Sequence, residues 1–536
     1  MALSLQQANT LIVDDFQSMR TMLRDFVKSI GMTRVDTACH GRDAISHLMA
    51  NKYDIVICDY NLGPGANGQQ VLEEARTRDL IGVSTIWVIV TAEKTAEMVM
   101  GAAEIKPDDY LLKPINQMLL QSRLEKLMAR KQSLGGVEAA IRSKDFTAAL
   151  SQCDQLIASQ AANTHEVLRI KSDLLLTLGD HDAARAVYES VLAQRSVPWA
   201  TTGLGKLLFN TGDFAGAVTL FQQVLAENQM YIEAADWLAK THEVMGDTRL
   251  AQQVLLDAVK LSPNSPVRQK NLGDTAFKNG ELDLAQAAFE KNIKISAFSN
   301  HKNPAVYAKL ADVLLDKGEP QEALNVLQRS KTDFCYNAAA SLQTAVTESR
   351  VFQKMGQTDK AQAALATAER LVTQMEGKLS PELKVELARS HLKLGQLDKA
   401  CQLLGEVIKN DHENTQLSST VAALFETEQL ADVGQALIKG ARQEVIDINN
   451  QGVILAKQGE FQQGAKLLRA AITKLPTSEV MILNLCGLLI AQMGKEGYNG
   501  SLAAEARELL ARVREINPAS KKFYSYSLVL ARLQRA

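Results

Sequence analysis

Residues 55–61 read IVICDYN. Four apolar or small residues run unbroken into an aspartate, the pattern of a strand buried on both faces whose last residue emerges at a sheet edge. The surrounding sequence has the same texture. TLIV (10–13), VDTA (35–38), DIVIC (54–58), TIWVIV (85–90) and DYLL (109–112) are β-type runs, each followed by ten or more helix-compatible residues. Such alternation predicts a doubly wound α/β domain with five parallel strands covered on both faces.

Ligands on sheets of this kind sit outside the carboxyl ends of the strands. That rule gathers Asp14, Asp15, Asp59, Thr91 and Lys113 at one edge, because each ends or directly follows a strand. Three converging carboxylates repel one another unless a hard divalent cation sits among them, and Mg²⁺ accepts carboxylates while keeping several waters. With the cation and the Lys113 ammonium neutralising phosphoryl oxygens, Asp59 is placed to attack in line and form an acyl phosphate.

LIVDD (11–15), IVICDYN (55–61), VIVTA (88–92) and DYLLKP (109–114), in this order and spacing, resemble the receiver domain of two-component response regulators, a flavodoxin-like fold. The resemblance covers about residues 9–128. It implies that Asp59 is the phosphoacceptor and a metal ligand. Asp15 would bind Mg²⁺ directly, Asp14 mainly through water, and Asn61 through its backbone carbonyl. It implies further that Lys113 pairs with the phosphoryl group, that Thr91 and Tyr110 form the switch pair, and that the Lys113–Pro114 peptide is cis. Phosphoryl lifetime would be tuned at Asn61 and Glu93.

The loop after Asp59 reads YNLGPGANG, one residue longer than the family pattern up to Gly68. Asn61 precedes the extra residue, so the metal set is expected to survive it. Gly63 to Gly68 formally match G-x-G-x-x-G, yet a dinucleotide fingerprint belongs at the turn directly after the strand, where Asp59 places negative charge instead. Asp108–Asp109 is read as a solvated turn. Cys58 is read as a small buried hydrophobe on the strand face opposite Asp59.

From about residue 137 the strand signal ends and a unit recurs: a glycine, an alanine five positions later, and a bulky apolar residue nine positions later. The instances are Gly179/Ala184/Tyr188, Gly212/Ala217/Phe221, Gly246/Ala251/Leu255, Gly280/Ala285/Phe289, Gly318/Ala323/Leu327, Gly356/Ala361/Leu365 and Gly395/Ala400/Leu404, with Gly459/Ala465 one residue late. Lys144/Ala149 opens the series, and a degenerate unit lies around Gln429 to Ala436. Small residues such as Gly205, Ala239, Gly273 and Gly452 stand seven positions before the glycine. The unit is a helix hairpin: the glycine ends one helix where φ is positive, and the small residue admits the partner helix. Spacings of 33, 34 and 34 residues resemble the tetratricopeptide repeat and later lengthen to 38, 38 and 39, about one helical turn more. The expected architecture is therefore multidomain. A receiver at 1–128 is followed by a linker at 129–136 with its joint at Ser133–Gly136, an all-α array of about ten hairpins at 137–518, and a capping helix at 519–536.

The 536 residues carry 59 Lys+Arg against 61 Asp+Glu, and the split is even, with net charge −3 over 1–128 and +1 over the rest. No domain has the basic footprint that nucleic-acid binding requires. Six cysteines without a C-x-x-C pair read as reduced thiols. The start MALSLQQANT lacks the pattern of a signal peptide, and the longest apolar stretch, Val480 to Met493, is too short to span a bilayer. A cytoplasmic protein is expected, without membrane insertion.

The sequence contains no H-E-x-x-H, P-loop or other catalytic constellation, so no enzyme activity is expected beyond phosphoryl transfer to Asp59 and its hydrolysis. The leading expectation is a response regulator that takes a phosphoryl group from a histidine kinase and gives its output through a protein or peptide bound in the repeat groove. Phosphorylation would either release the array from the Tyr110 face, which includes 93–112, or make the receiver dimerise through it. The alternative is a phosphate sink that diverts phosphoryl groups from another regulator of the same kinase. A dinucleotide-dependent enzyme is the third and weakest reading.

Overall fold

The computed structural model describes residues 5–82, 85–92, 107–159, 163–299, 301–375, 379–517 and 520–533. They fall into two compact units, one spanning 1–317 apart from 177–179, the other comprising 318–536 with that short segment.

The first unit begins with the α/β domain. Strands β1 (Thr10–Val13), β2 (Val35–Ala38), β3 (Ile55–Asp59), β4 (Ile86–Thr91) and β5 (Asp109–Leu112) form one sheet in the order β2-β1-β3-β4-β5. Every pairing is parallel. Among the described residues, α1 (Gln17–Ser29), α2 (Gly41–Ala50) and α3 (Gly68–Thr77) follow the first three strands. The period-two alternation of strand side chains divides the core. Ile12, Ile55, Ile57, Val88 and Val90 pack with Leu23 and Val27 of α1, whereas Leu11, Val13, Val56, Trp87 and Ile89 pack with Ile45 of α2 and Val71 and Leu72 of α3. The strand order reverses at β1, which places the crevice of the fold over the ends of β1 and β3.

A single helix, α4 (Gln117–Arg142), leads out of the domain, capped at its start by the Asn116 side chain accepting from Leu119 N–H. Residues 129–136, expected as a linker, lie inside it. Leu120, Leu124, Leu127 and Met128 are buried in the α/β core, and Leu134, Val137 and Ala140 are buried in the core of the first hairpin. Two glycines in a helix interior cost about 2 kcal/mol in all. Burying a single leucine returns about as much, so the apolar residues on both sides of Gly135 and Gly136 override the breaker signal.

Beyond α4 the described residues are helical, in hairpins whose internal logic matches the repeat pattern. Gly179, Gly212, Gly246, Gly280, Gly318, Gly356, Gly395 and Gly459 all have φ between 71° and 89°. Lys144 and Gln429 take the same conformation without being glycine, at φ 62° and 60°. The alanines five positions on are fully buried from Ala184 to Ala400, as are Tyr188, Phe221 and Phe289. Gly205 is small because Phe221 fills its space: a β-carbon there would lie 2.6 Å from the ring. The longer spacings have two sources. Ala338–Lys354 and Thr358–Gln374 are 17 residues long, an added turn each. Between Gly280 and Gly318, however, the helices keep their lengths and the connection 296–303 is the longer part.

In the second unit the degenerate repeat shares its second helix with the next, as one 28-residue helix, Ala431–Gln458. Helix Lys521–Leu533 covers the last hairpin, with Leu530 buried and Tyr526 against Gly487. No helix among the described residues is long and apolar enough to cross a membrane.

Candidate functional site

The strand ends bring together three aspartates, two of them almost wholly buried and Asp15 partly so. Asp14 follows β1 and is inaccessible, and Asp59 is the last residue of β3, 6% exposed. Carboxylate oxygens of Asp14, Asp15 and Asp59 lie within 4.8 Å of one another. Lys113, one residue past β5, answers part of this charge: its Nζ is 3.0 Å from Asp14 Oδ2 and 3.1 Å from Asp59 Oδ2. The remaining oxygens are partly held by backbone donors, Phe16 N–H to Asp14 Oδ1 at 2.9 Å and Tyr60 N–H to Asp59 Oδ1 at 3.0 Å.

Burial and, beyond it, the Asp14 carboxylate push the Asp59 carboxyl up to about 6, against the opposing pull of Lys113. Burial lowers Lys113, but its bond to Asp14 and the charges of both aspartates outweigh that and leave it raised. Among the described residues Lys113 is the cation paired with these carboxylates, while Arg20 donates to the Asp14 carbonyl at 2.5 Å, so the three acids outnumber the cations beside them. Asp15 Oδ1 is buried without a hydrogen-bond partner. Hard oxygen donors, an orphaned carboxylate oxygen and excess negative charge fit a Mg²⁺ ion.

The flanking residues are ordered by the same strands. Thr91 ends β4, 4% exposed, and its carbonyl accepts from Lys113 N–H at 2.8 Å, which fixes where the lysine departs. The Lys113–Pro114 peptide is cis. Asn61 Oδ1 accepts from Gly63 N–H at 3.2 Å, so its side chain serves the turn. The lengthened loop is absorbed by Gly63 and Gly65 at φ 75° and 121°. It ends at Asn67, which caps α3 in a reciprocal capping box with Gln70. Tyr110, half-buried on β5, packs toward the α2 and α3 side of the sheet, and its Oη accepts from Gln69 Nε2 at 2.7 Å. Burial raises this phenol to about 12. Cys58 is inaccessible on the α2 and α3 face. Glu93, and with it the segment 93–106, lies outside the described residues.

Two features were not legible in advance. Asp108 is no solvated turn: its carboxylate accepts from Trp87 N–H at 2.8 Å and pairs with Arg130 at 3.3 Å and Lys131 at 3.2 Å, both on α4. Arg130 also holds Glu166 of the helix Thr164–Thr177 through a forked contact. The partners are separated by 22 and 36 residues, and nothing local to either announces the other. Gln69 as the partner of Tyr110 was equally hidden, since one glutamine among several carries no spacing signal.

Residues 10–125 match the response regulator receiver domain family, and residues 134–198, 175–241 and 346–414 match tetratricopeptide repeat families. Among curated relatives, the chemotaxis protein CheY of Pseudomonas aeruginosa is 29% identical over 120 residues, 22% of this chain and 95% of that protein. CheY-3 of Vibrio cholerae is 29% identical over 120 residues, 22% of this chain and 91% of the relative. Among solved structures, CheY4 of Vibrio cholerae aligns at 27% identity with a TM-score of 0.21, over 22% of this chain and 98% of its own. The MamA protein aligns at 21% identity with a TM-score of 0.30, over 34% of this chain and 96% of its own. The α/β domain with its buried aspartates is a response regulator receiver domain, and tetratricopeptide repeats follow it in the same chain.

Proposed function

We propose that the protein is a phosphorylation-controlled response regulator in which Asp59 accepts a phosphoryl group from a histidine kinase and the repeats deliver the output by binding another protein. The observation that carries this reading is the shared lysine: Lys113 lies within 3.1 Å of both Asp14 and Asp59 at the mouth of the sheet crevice. In the transfer the P–N bond of the phosphohistidine breaks and a P–O bond to Asp59 forms. Lys113, already oriented toward Asp59 Oδ2, is placed to follow the charge onto the phosphoryl oxygens. Asp14, Asp15, Asp59 and the Asn61 carbonyl are the groups that would hold Mg²⁺, which when bound supplies neutralisation of the phosphoryl charge. Thr91 and Tyr110 would carry the change outward. Output through protein contacts accords with the tetratricopeptide repeats that follow the receiver.

The test is to incubate the full chain with Mg²⁺ and a small-molecule phosphodonor such as phosphoramidate, then map acid-stable peptides for one added phosphoryl group. Modification of the peptide carrying Asp59, absent in Asp59→Asn, is expected. Equal incorporation in Asp59→Asn would overturn the reading. The phosphate-sink alternative predicts that a chain with its groove residues altered keeps its full cellular effect, whereas the output reading predicts that the effect is lost.

A further inference from the structure

From Gly246 to Gly280 one hairpin follows the next at 34 residues, and from Gly280 to Gly318 at 38. The helices do not account for the difference. Thr248–Leu261 and Leu282–Ile295 both have 14 residues, Pro266–Lys278 and Pro304–Asp316 both 13. The four extra residues lie in the connection, which runs over 296–303 where the preceding repeat uses 262–265.

This lengthened connection meets helix α3 of the receiver. Gln70 Nε2 donates to the Ile295 carbonyl at 3.0 Å, just where the connection begins. Ser299 Oγ donates to Glu73 Oε2 at 2.8 Å, and His301 Nε2 lies 2.6 Å from Glu73 Oε1, so both oxygens of one carboxylate are engaged. Gln70 and Glu73 are three apart and share a face of α3.

The same helix is braced against the phosphoacceptor. Gly68 N–H donates to the Tyr60 carbonyl at 2.8 Å. A β-carbon on Gly68 would collide with the Asp59 carbonyl oxygen and touch Cys58 Sγ at 3.0 Å, so backbone lies directly on backbone there. Gln69 donates to Tyr110, and Gln70 closes the capping box with the side chain whose amide reaches Ile295. One turn of helix thus contacts the Asp59 backbone, the switch tyrosine and the repeat connection.

We propose that the connection 296–303 is a clamp by which the repeats hold the receiver through α3, and that a change of state at Asp59 loosens it. The coupling part rests on the proposed function; the clamp itself does not. Withdrawal of Tyr110 removes the partner of Gln69, and any shift of the Asp59 backbone moves Gly68 and the capping box, which positions Gln70 for Ile295. Loss of the clamp would free the Glu73 face of α3 and the connection together.

Hydrogen exchange on the full chain tests both parts. In Glu73→Ala, and independently in the His301→Ala, Ser299→Ala pair, amides of 296–299 and 301–303 are expected to exchange at least about tenfold faster, while strands β1 and β3 stay protected. Unchanged exchange in that segment would overturn the clamp. Wild-type protein with Mg²⁺ and beryllofluoride is expected to gain protection over 59–67 and to lose it, by a similar factor, over the connection. Protection at 59–67 with no change in the connection would overturn the coupling alone. No protection at 59–67 would overturn the phosphoacceptor reading and the coupling with it, leaving the clamp to stand on the variants.

Discussion

Lys144 holds in the first hairpin the left-handed conformation that Gly179 holds in the second, φ 62° against 72°. The turn geometry is set by the packing of the hairpin, and the residue conforms. An L side chain pays about 1 kcal/mol or more for this conformation, and glycine does not. Lys144→Gly and Gln429→Gly, the latter relieving φ 60°, are therefore each expected to stabilise the chain by about 0.5–1 kcal/mol net of glycine's greater unfolded-state freedom. Denaturant midpoints of the single variants check this, and a fall in midpoint would count against it.

The glycines inside helices divide by what surrounds them. Gly205→Ala forces a methyl to within 2.6 Å of the Phe221 ring, which is itself fully buried. Overpacking of this kind costs about 1–3 kcal/mol. Gly135→Ala meets nothing within 4 Å in α4, so it should gain up to about 1 kcal/mol from helix propensity. Opposite signs in thermal unfolding are the expected result.

Three carboxylates lie within 4.8 Å of one another, so the receiver's stability is expected to depend on cations. Mg²⁺ is expected to raise the unfolding free energy by about 2–3 kcal/mol at a hundredfold excess over its dissociation constant. Asp15→Asn should abolish most of that gain. A Mg²⁺ response equal to that of the wild type in Asp15→Asn would remove Asp15 from the metal set.

The clamp should also respond to pH. His301 is raised above 6.5 chiefly by its bond to Glu73, and Ser299 and His301 together hold Glu73 below 4.5 despite its burial. A raised histidine stabilises below its unfolded pKa and loses that contribution as pH rises through the folded value. A lowered glutamate stabilises above its unfolded pKa and loses it as pH falls through the folded value. The pair is thus at full strength from about pH 4.5 to 6.5 and weakens on either side. Since His301 is 44% exposed, the contribution is small, about 1 kcal/mol or less. Exchange rates over the connection at pH 6 and pH 8, corrected for the intrinsic rate and compared with His301→Ala, read it directly.

The strands were legible almost to the residue, because a run such as IVICD must be buried on both sides and an aspartate marks where it surfaces. The repeat was legible for a related reason. Glycine, alanine and an aromatic at fixed offsets describe one packing problem solved many times, and even Lys144 and Gln429 were placed by phase rather than identity. What stayed hidden depends on neighbours distant in sequence. Ser133–Gly136 looked like a joint because glycine density is a local signal, whereas the burial of Leu127 and Val137 in two different cores is not. Asp108 looked solvated until α4 brought Arg130 and Lys131 to it. The change of repeat period at Gly280 was readable, but whether the extra residues lengthen a helix or a connection was not.

Helix α4 has a mechanical consequence. Its 26 residues form a rod of about 39 Å, seated at one end under the sheet and at the other in the first hairpin, with no hinge between. A tilt of its first turns against the sheet would reach the hairpin as the same angle, with a displacement that grows along the length of the rod. The receiver is thus joined to the repeats by a lever rather than a tether, and cutting the chain at residue 128 would sever that lever in mid-helix.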